Sequence, residues 1–303
     1  MTFTPLGAGQ EVGRSCHVLE FRGMNILLDV GIHPGYDGLN GLPYLDRIEP
    51  DQIDLILITH FHLDHAASLP YFTERTSFKG RIFMTHPTKA VMRLLLGDYL
   101  RLMQMKNVKP EDTLYTEADL LSCLDKVELI DYHTTVTVGG LSFHALNAGH
   151  VLGACMFWMD IGGRTVLYTG DYSMEDDRHL SAAEIPHKKP DLLIVEATFG
   201  VQVHASRAER EARFTGTIER VVTRGGRCLI PVFALGRAQV SVSCCTIWKN
   251  VAETCLMPIA RILTLLYCLY FLPFFLRSSG TVVDSRRILA SQSALAEHSN
   301  LVR

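Results

Sequence analysis

His60-Phe61-His62-Leu63-Asp64-His65 follows directly on a nearly unbroken apolar stretch, Ile53 to Thr59. A strand covered on both faces reads as a continuous apolar run rather than an alternating one. The segment is therefore predicted to be a central strand that empties into a loop carrying three imidazoles and a carboxylate. A chain leaving a buried strand can turn all four side chains toward one point. Imidazole nitrogen and carboxylate oxygen are the donors that borderline Zn²⁺ accepts. Four potential ligands within six residues exceed what one catalytic zinc takes from a single segment, so the spacing points to two ions. The bland alternative is a solvated polar loop.

Other strand ends offer further donors. His150 lies in Ala148-Gly149-His150-Val151-Leu152-Gly153, after an apolar run containing Phe143. Asp171 lies in Tyr168-Thr169-Gly170-Asp171-Tyr172, after Thr165 to Tyr168. Taken singly, a histidine or aspartate beside glycine is usually a turn residue. The flanking glycines let the backbone pack closely and aim one side chain.

Around these motifs the pattern is that of α/β layers. Cys16 to Phe21 and Met24 to Val30 read as a hairpin turning at Arg22-Gly23. Arg81 to Thr85 and Val127 to Ile130 read as short strands. A helix is predicted from Pro87 to about Met105. Two more hairpins turn at Gly139-Gly140 and Gly162-Gly163. Leu192 to Glu196 reads as a short buried strand, Ala205 to Thr223 as an amphipathic helix, and Arg227 to Phe233 as a strand.

Composition excludes several classes. The 303 residues are 48% hydrophobic and 20% charged, an ordinary globular balance. Met1 to Arg14 lacks the apolar core of a secretory leader, so the body is expected to be intracellular. None of the eight cysteines forms a C-x-x-C pair, which argues against a zinc ribbon or a disulfide framework. Net charge is -3, divided as -6 up to Gln239 and +3 beyond it. An acidic body does not announce a nucleic-acid binder, but carboxylates that ligate cations would be offset at the site itself.

The order Asp29, His60 to His65, His150, Asp171 resembles the first four motifs of the metallo-β-lactamase superfamily. Glu196 in Glu196-Ala197-Thr198-Phe199-Gly200 is similar to the first motif of its nucleic-acid-cutting β-CASP branch. Leu6 to Cys16, Ser77 to Arg81, Asp177 to Leu180, Ala183 to Pro186 and Leu229 to Gln239 resemble the nuclease-subunit family of the cleavage and polyadenylation machinery. The resemblance runs almost continuously from Pro5 to Gln239. It implies an incomplete αββα metallo-β-lactamase sandwich over residues 1–204 and the start of a β-CASP domain over 205–239. It also implies one zinc held by His60, His62, His150 and Asp171, and a second held by Asp64, His65 and the bridging Asp171. Asp29 would orient the ligand loop, and Glu196 would hydrogen-bond a general-acid histidine supplied further along. Catalysis would rest on Asp64, Asp171 and Glu196. The implied activity is a zinc-dependent RNA endonuclease in the nucleus, acting on pre-mRNA beside the other subunits of the cleavage and polyadenylation complex.

Three departures stand against that pattern. Ala66-Ala67-Ser68-Leu69-Pro70 replaces the usual Cys-Gly-Ala-Leu-Pro, where a packing change is expected as a helix begins behind the loop. Glu196-Ala197-Thr198-Phe199 replaces Glu-Ser-Thr-Tyr and removes two hydroxyls. After Gln239 the resemblance stops, and the only histidine beyond is His298, which fits neither the family's general acid nor its last zinc ligand. Residues 240–303 read as unrelated sequence, expected to be translated intron or a mispredicted exon because Gln239-Val240-Ser241 can be encoded in the form of a splice donor. Ile262 to Leu276 is apolar but short against the roughly 20 residues of a membrane span, and it contains Pro273, so membrane association is not expected. Two other readings remain: a hydrolase of the glyoxalase II kind, and a non-catalytic subunit lacking the later histidines.

Overall fold

The computed structural model describes residues 1–105, 113–177, 179–226 and 228. The expected strand over residues 227–233 and the apolar tail lie outside the described residues. The chain divides into two compact units, Met1–His204 and Ala205–Arg303.

In the first unit six strands form one sheet in sequential order: β1 (Thr2–Gly7), β2 (Cys16–Phe21), β3 (Met24–Leu28), β4 (Leu55–Leu57), β5 (Arg81–Met84) and β6 (Val127–Leu129). The first three strands run antiparallel, and β3 to β6 pair in parallel. Parallel neighbours need crossovers. Between β3 and β4 the crossover runs through three 3-10 turns (Gly38–Gly41, Leu45–Arg47 and Pro50–Gln52); the next two are supplied by α1 (Leu63–Ala66) with α2 (Leu69–Arg75), and by α3 (His86–Met105) with α4 (Glu117–Lys126). The second sheet has the order β11-β10-β9-β8-β7. It comprises β7 (Val136–Val138), β8 (Leu141–Asn147), β9 (Cys155–Ile161), β10 (Arg164–Tyr168) and β11 (Leu192–Ile194).

The side-chain period of two explains the apolar run before the histidines. Leu55 and Leu57 join Leu19, Ile26, Leu28, Phe83, Phe143, Phe157 and Met159 in the core between the sheets. Ile56 and Ile58 face the other way, into a core with Phe72 of α2, Met92 and Leu96 of α3, and Leu120 and Leu124 of α4. A strand buried on both faces is thus required at the centre of a helix–sheet–sheet stack.

Several expectations need correction. The predicted strand Ile53 to Thr59 is narrower, Leu55–Leu57. Its flanks are drawn into other bonds, Ile53 N–H to Pro50 and the Thr59 N–H to Asp29. The helix expected behind the ligand loop begins earlier: Asp64 and His65 already lie in α1, because the His65 and Ala66 N–H groups both bond to His62 O. Helix α3 starts at His86, with Pro87 inside its first turn. The strand expected to be buried at Leu192 to Glu196 is a three-residue strand, the last of its sheet among the described residues, with Leu193 51% exposed. Strand β1 and helix α4 were not expected.

Within the second unit, α5 (Arg207–Thr223) begins with a reciprocal cap. Ser206 N–H donates to Glu209 Oε2 at 2.9 Å and Glu209 N–H returns to Ser206 Oγ at 3.3 Å. The helix stops at Gly225, whose φ is +77°.

Candidate metal centre

Except for Asp64 and His65, which lie in α1, the candidate residues sit just past the carboxyl ends of strands, where loops of a layered α/β fold are free to carry chemistry. Asp29 follows β3, His60 follows β4, His150 follows β8, Asp171 follows β10 and Glu196 follows β11. Backbone bonds tie these loops together. Ser15 N–H donates to Asp64 O, Val30 N–H to His65 O, and Ile32 N–H to Leu63 O, all within 2.9 Å. Cys155 N–H donates to Thr59 O at 2.9 Å and so joins the two sheets beside the site. Gly170, at φ +52°, lies so close to the Thr59 side chain that a Cβ would collide with it.

One donor atom from each of His60, His62, His150 and Asp171 lies within 4.8 Å of the others. His60 Nε2 is 3.0 Å from His62 Nδ1, which is 3.2 Å from His150 Nε2. Asp171 Oδ2 lies 3.9 Å from His60 Nε2 and 3.7 Å from His150 Nε2. Donors that surround a tetrahedral zinc at about 2.0–2.1 Å stand roughly 3.3 Å apart. The spacing and the donor chemistry both fit a cation of that size.

A second set adjoins the first. His65 Nε2 lies 3.3 Å from Asp171 Oδ1 and 3.8 Å from Asp64 Oδ2. Asp171 therefore presents one oxygen to each set. Glu196 is half-buried and otherwise engaged: its Oε2 accepts from Thr198 N–H at 2.8 Å.

Asp29 lies beneath both sets, fully buried, with a left-handed φ of +57°. Its Oδ1 accepts from Thr59 N–H at 2.7 Å. Its Oδ2 meets His65 Nδ1 at 2.8 Å and the Tyr168 hydroxyl at 2.7 Å. Thr59 and Tyr168 have no role in the sequence reading. Their signal was present, since Thr59 abuts the histidine run and Tyr168 opens the Asp171 motif, but hydrogen bonding to a residue so distant in sequence is invisible there.

Electrostatics divides the histidines. Burial, reinforced by the neighbouring imidazoles, holds His60 well below the usual histidine range. Burial and then His150 bring His62 down to about 4. Both rings are thus neutral and able to donate lone pairs at physiological pH. For His65 burial acts in the same direction, but Asp29 and Asp171 outweigh it and raise the ring well above the usual range. Burial alone would raise Asp171, yet the hydrogen bond and charge of His65 bring it to about 2.

The chain is similar in sequence to a known domain family and to several curated proteins. The profile of the Metallo-beta-lactamase superfamily domain matches residues 18–196. The chain is 60% identical over 236 residues to cleavage and polyadenylation specificity factor subunit 3-I of Arabidopsis thaliana, covering 78% of this chain and 34% of that protein. It is 57% identical over 235 residues to cleavage and polyadenylation specificity factor 73 of Drosophila melanogaster, with 78% and 34% covered. It is 55% identical over 238 residues to Endoribonuclease YSH1 of Yarrowia lipolytica, with 78% and 28% covered. The chain thus spans about a third of the length of the curated relatives it matches. With its paired sheets, its clustered donor residues beyond the strand ends and a family match across most of the first unit, the chain belongs to the metallo-β-lactamase superfamily.

Proposed function

We propose that this chain carries the metal-holding part of a two-zinc RNA endonuclease of pre-mRNA 3′-end processing. The observation that carries the reading is the Asp171 carboxylate, with Oδ2 toward His60 and His150 and Oδ1 toward His65. A carboxylate that offers one oxygen to each of two donor sets suits a pair of cations. His60, His62, His150 and Asp171 would hold one ion, and Asp64, His65 and Asp171 the other. When bound, zinc supplies Lewis-acid polarisation of a phosphodiester and acidification of a water molecule.

The chain's own groups prepare that chemistry. Neutral His60 and His62 offer lone pairs without first losing a proton. Asp29 fixes the His65 ring from behind through Nδ1. The loops hold the donors on rigid strand ends, so little reorganisation accompanies binding. Glu196 is assigned to orient a general acid provided by sequence further along in the longer relatives. The relatives' names support RNA as the substrate and cleavage and polyadenylation as the setting, and a chain that processes pre-mRNA would act in the nucleus.

Metal analysis and RNA cleavage test this reading. The purified 303-residue chain is expected to hold two zinc ions, and His62→Ala to lose at least one. Zinc-dependent cleavage of single-stranded RNA is expected to fall to the uncatalysed rate in the same variant. A chain that holds one ion or none overturns the two-zinc assignment. Two bound ions without cleavage would favour a non-catalytic subunit, a reading motivated by the third of the relatives' length that this chain spans.

A further inference from the structure

We infer that Thr59 is a positioning residue that passes the orientation of Asp29 to His60, so that a buried carboxylate which also holds the His65 ring sets the tautomer of His60. Thr59 Oγ1 lies 2.8 Å from Asp29 Oδ2, 3.1 Å from Asp29 Oδ1 and 3.0 Å from His60 Nδ1. All three residues are fully buried, so water does not compete for these bonds.

The proton count leaves one consistent arrangement. A threonine hydroxyl has a single hydrogen, and an ionised carboxylate can only accept. Asp29 already receives Thr59 N–H and the Tyr168 hydroxyl. The Thr59 hydroxyl donates to Asp29 as well, because that is the charge-assisted bond. Oγ1 is then left as an acceptor, and the contact with His60 is made by an Nδ1–H of the imidazole. The tautomer that carries hydrogen on Nδ1 bears its lone pair on Nε2, the atom that faces His62 and Asp171. The other arm is direct. Asp29 Oδ2 takes the Nδ1–H of His65 at 2.8 Å, and His65 Nε2 faces Asp64 and Asp171. Gly170 holds the relay in place, since any side chain there would push the Thr59 side chain aside.

The inference rests on the reading that these histidines bind metal, but it is tested separately. Nitrogen NMR of the metal-free 303-residue chain reports the tautomer of His60 directly. Hydrogen on Nδ1 in the wild type, lost or mixed in Thr59→Val and restored in Thr59→Ser, is the expected result. Zinc titration should show Thr59→Val binding about 10–100-fold more weakly, the range seen when a partner of a ligating histidine is removed, with Thr59→Ser close to wild type. Hydrogen on Nε2 of His60 in the wild type overturns the relay whatever the variants do. So does a Thr59→Val chain that binds zinc as tightly as the wild type. Should Thr59→Val fail to fold, the wild-type spectrum and the Thr59→Ser titration decide. A wild type that binds no zinc would instead strike at the proposed function and leave the tautomer result standing.

Discussion

Gly31 shows how little room the ligand loop has. A Cβ at that position would overlap the Asp64 carbonyl and crowd the His65 N–H, and both are backbone atoms that cannot swing away. Gly31 N–H bonds Ser15 O, and its neighbours Val30 and Ile32 bond His65 and Leu63, so the segment is tied directly against α1. Gly31→Ala is expected to lower unfolding free energy by about 1–3 kcal/mol, the usual cost of overpacking, and to weaken metal binding. Urea unfolding and metal titration measure the two effects; unchanged values in both would show that the loop yields easily. The tolerance for strain at Asp29, held at φ +57°, has the same origin. Thr59, His65 and Tyr168 all converge on its carboxylate, and together they over-determine its place.

Helix α4 is the element best placed to separate stability from site chemistry. Thr116 caps it: the Thr116 side chain accepts from Asp119 N–H, and Asp119 Oδ2 accepts from Thr116 N–H at 2.7 Å. Thr116→Ala is expected to cost about 1 kcal/mol of stability while leaving metal stoichiometry unchanged. A variant that lost metal would mean that the helix layer is coupled to the strand ends. The same helix marks a limit of legibility. Leu120, Cys123 and Leu124 keep helical spacing behind a Thr-x-x-Asp start, so the signal existed, but a helix of 10 residues offers few turns over which to read it. Strands β2 to β6 were readable because their apolar runs and glycine turns are local properties. The position of β11 at the end of the sheet formed by the described residues was not, because strand order is set by tertiary pairing.

At the scale of the whole molecule, a centre built from both sheets should couple metal binding to folding. Donors from β4 and its loop must stay beside donors that follow β8 and β10, and a cation that binds only this arrangement stabilises it. At free zinc near 1,000 times the dissociation constant the gain is about 4 kcal/mol. Chelation is therefore expected to lower the melting temperature of the wild type and to have a much smaller effect on His62→Ala. A thermal melt unmoved by chelator would contradict the coupling. Among the described residues no helix is long and apolar enough to cross a membrane.

Donor chemistry and strand-end position, which are written locally, were enough to nominate His60, His62, Asp64, His65, His150 and Asp171, whereas Asp29 and Glu196 came only from the resemblance of motif order. The resemblance implied how they group, and the tertiary structure supplies the physical reason they can meet. His150 lies 88 residues from His62 in sequence yet 3.2 Å away in space, a relation imposed by two sheets packing face to face. The tertiary structure alone decided which oxygen Asp171 turns to each donor set, and that Asp29 reaches His60 through Thr59. Hydrogen-bond direction and shared burial arise from packing, and no spacing along one chain encodes them.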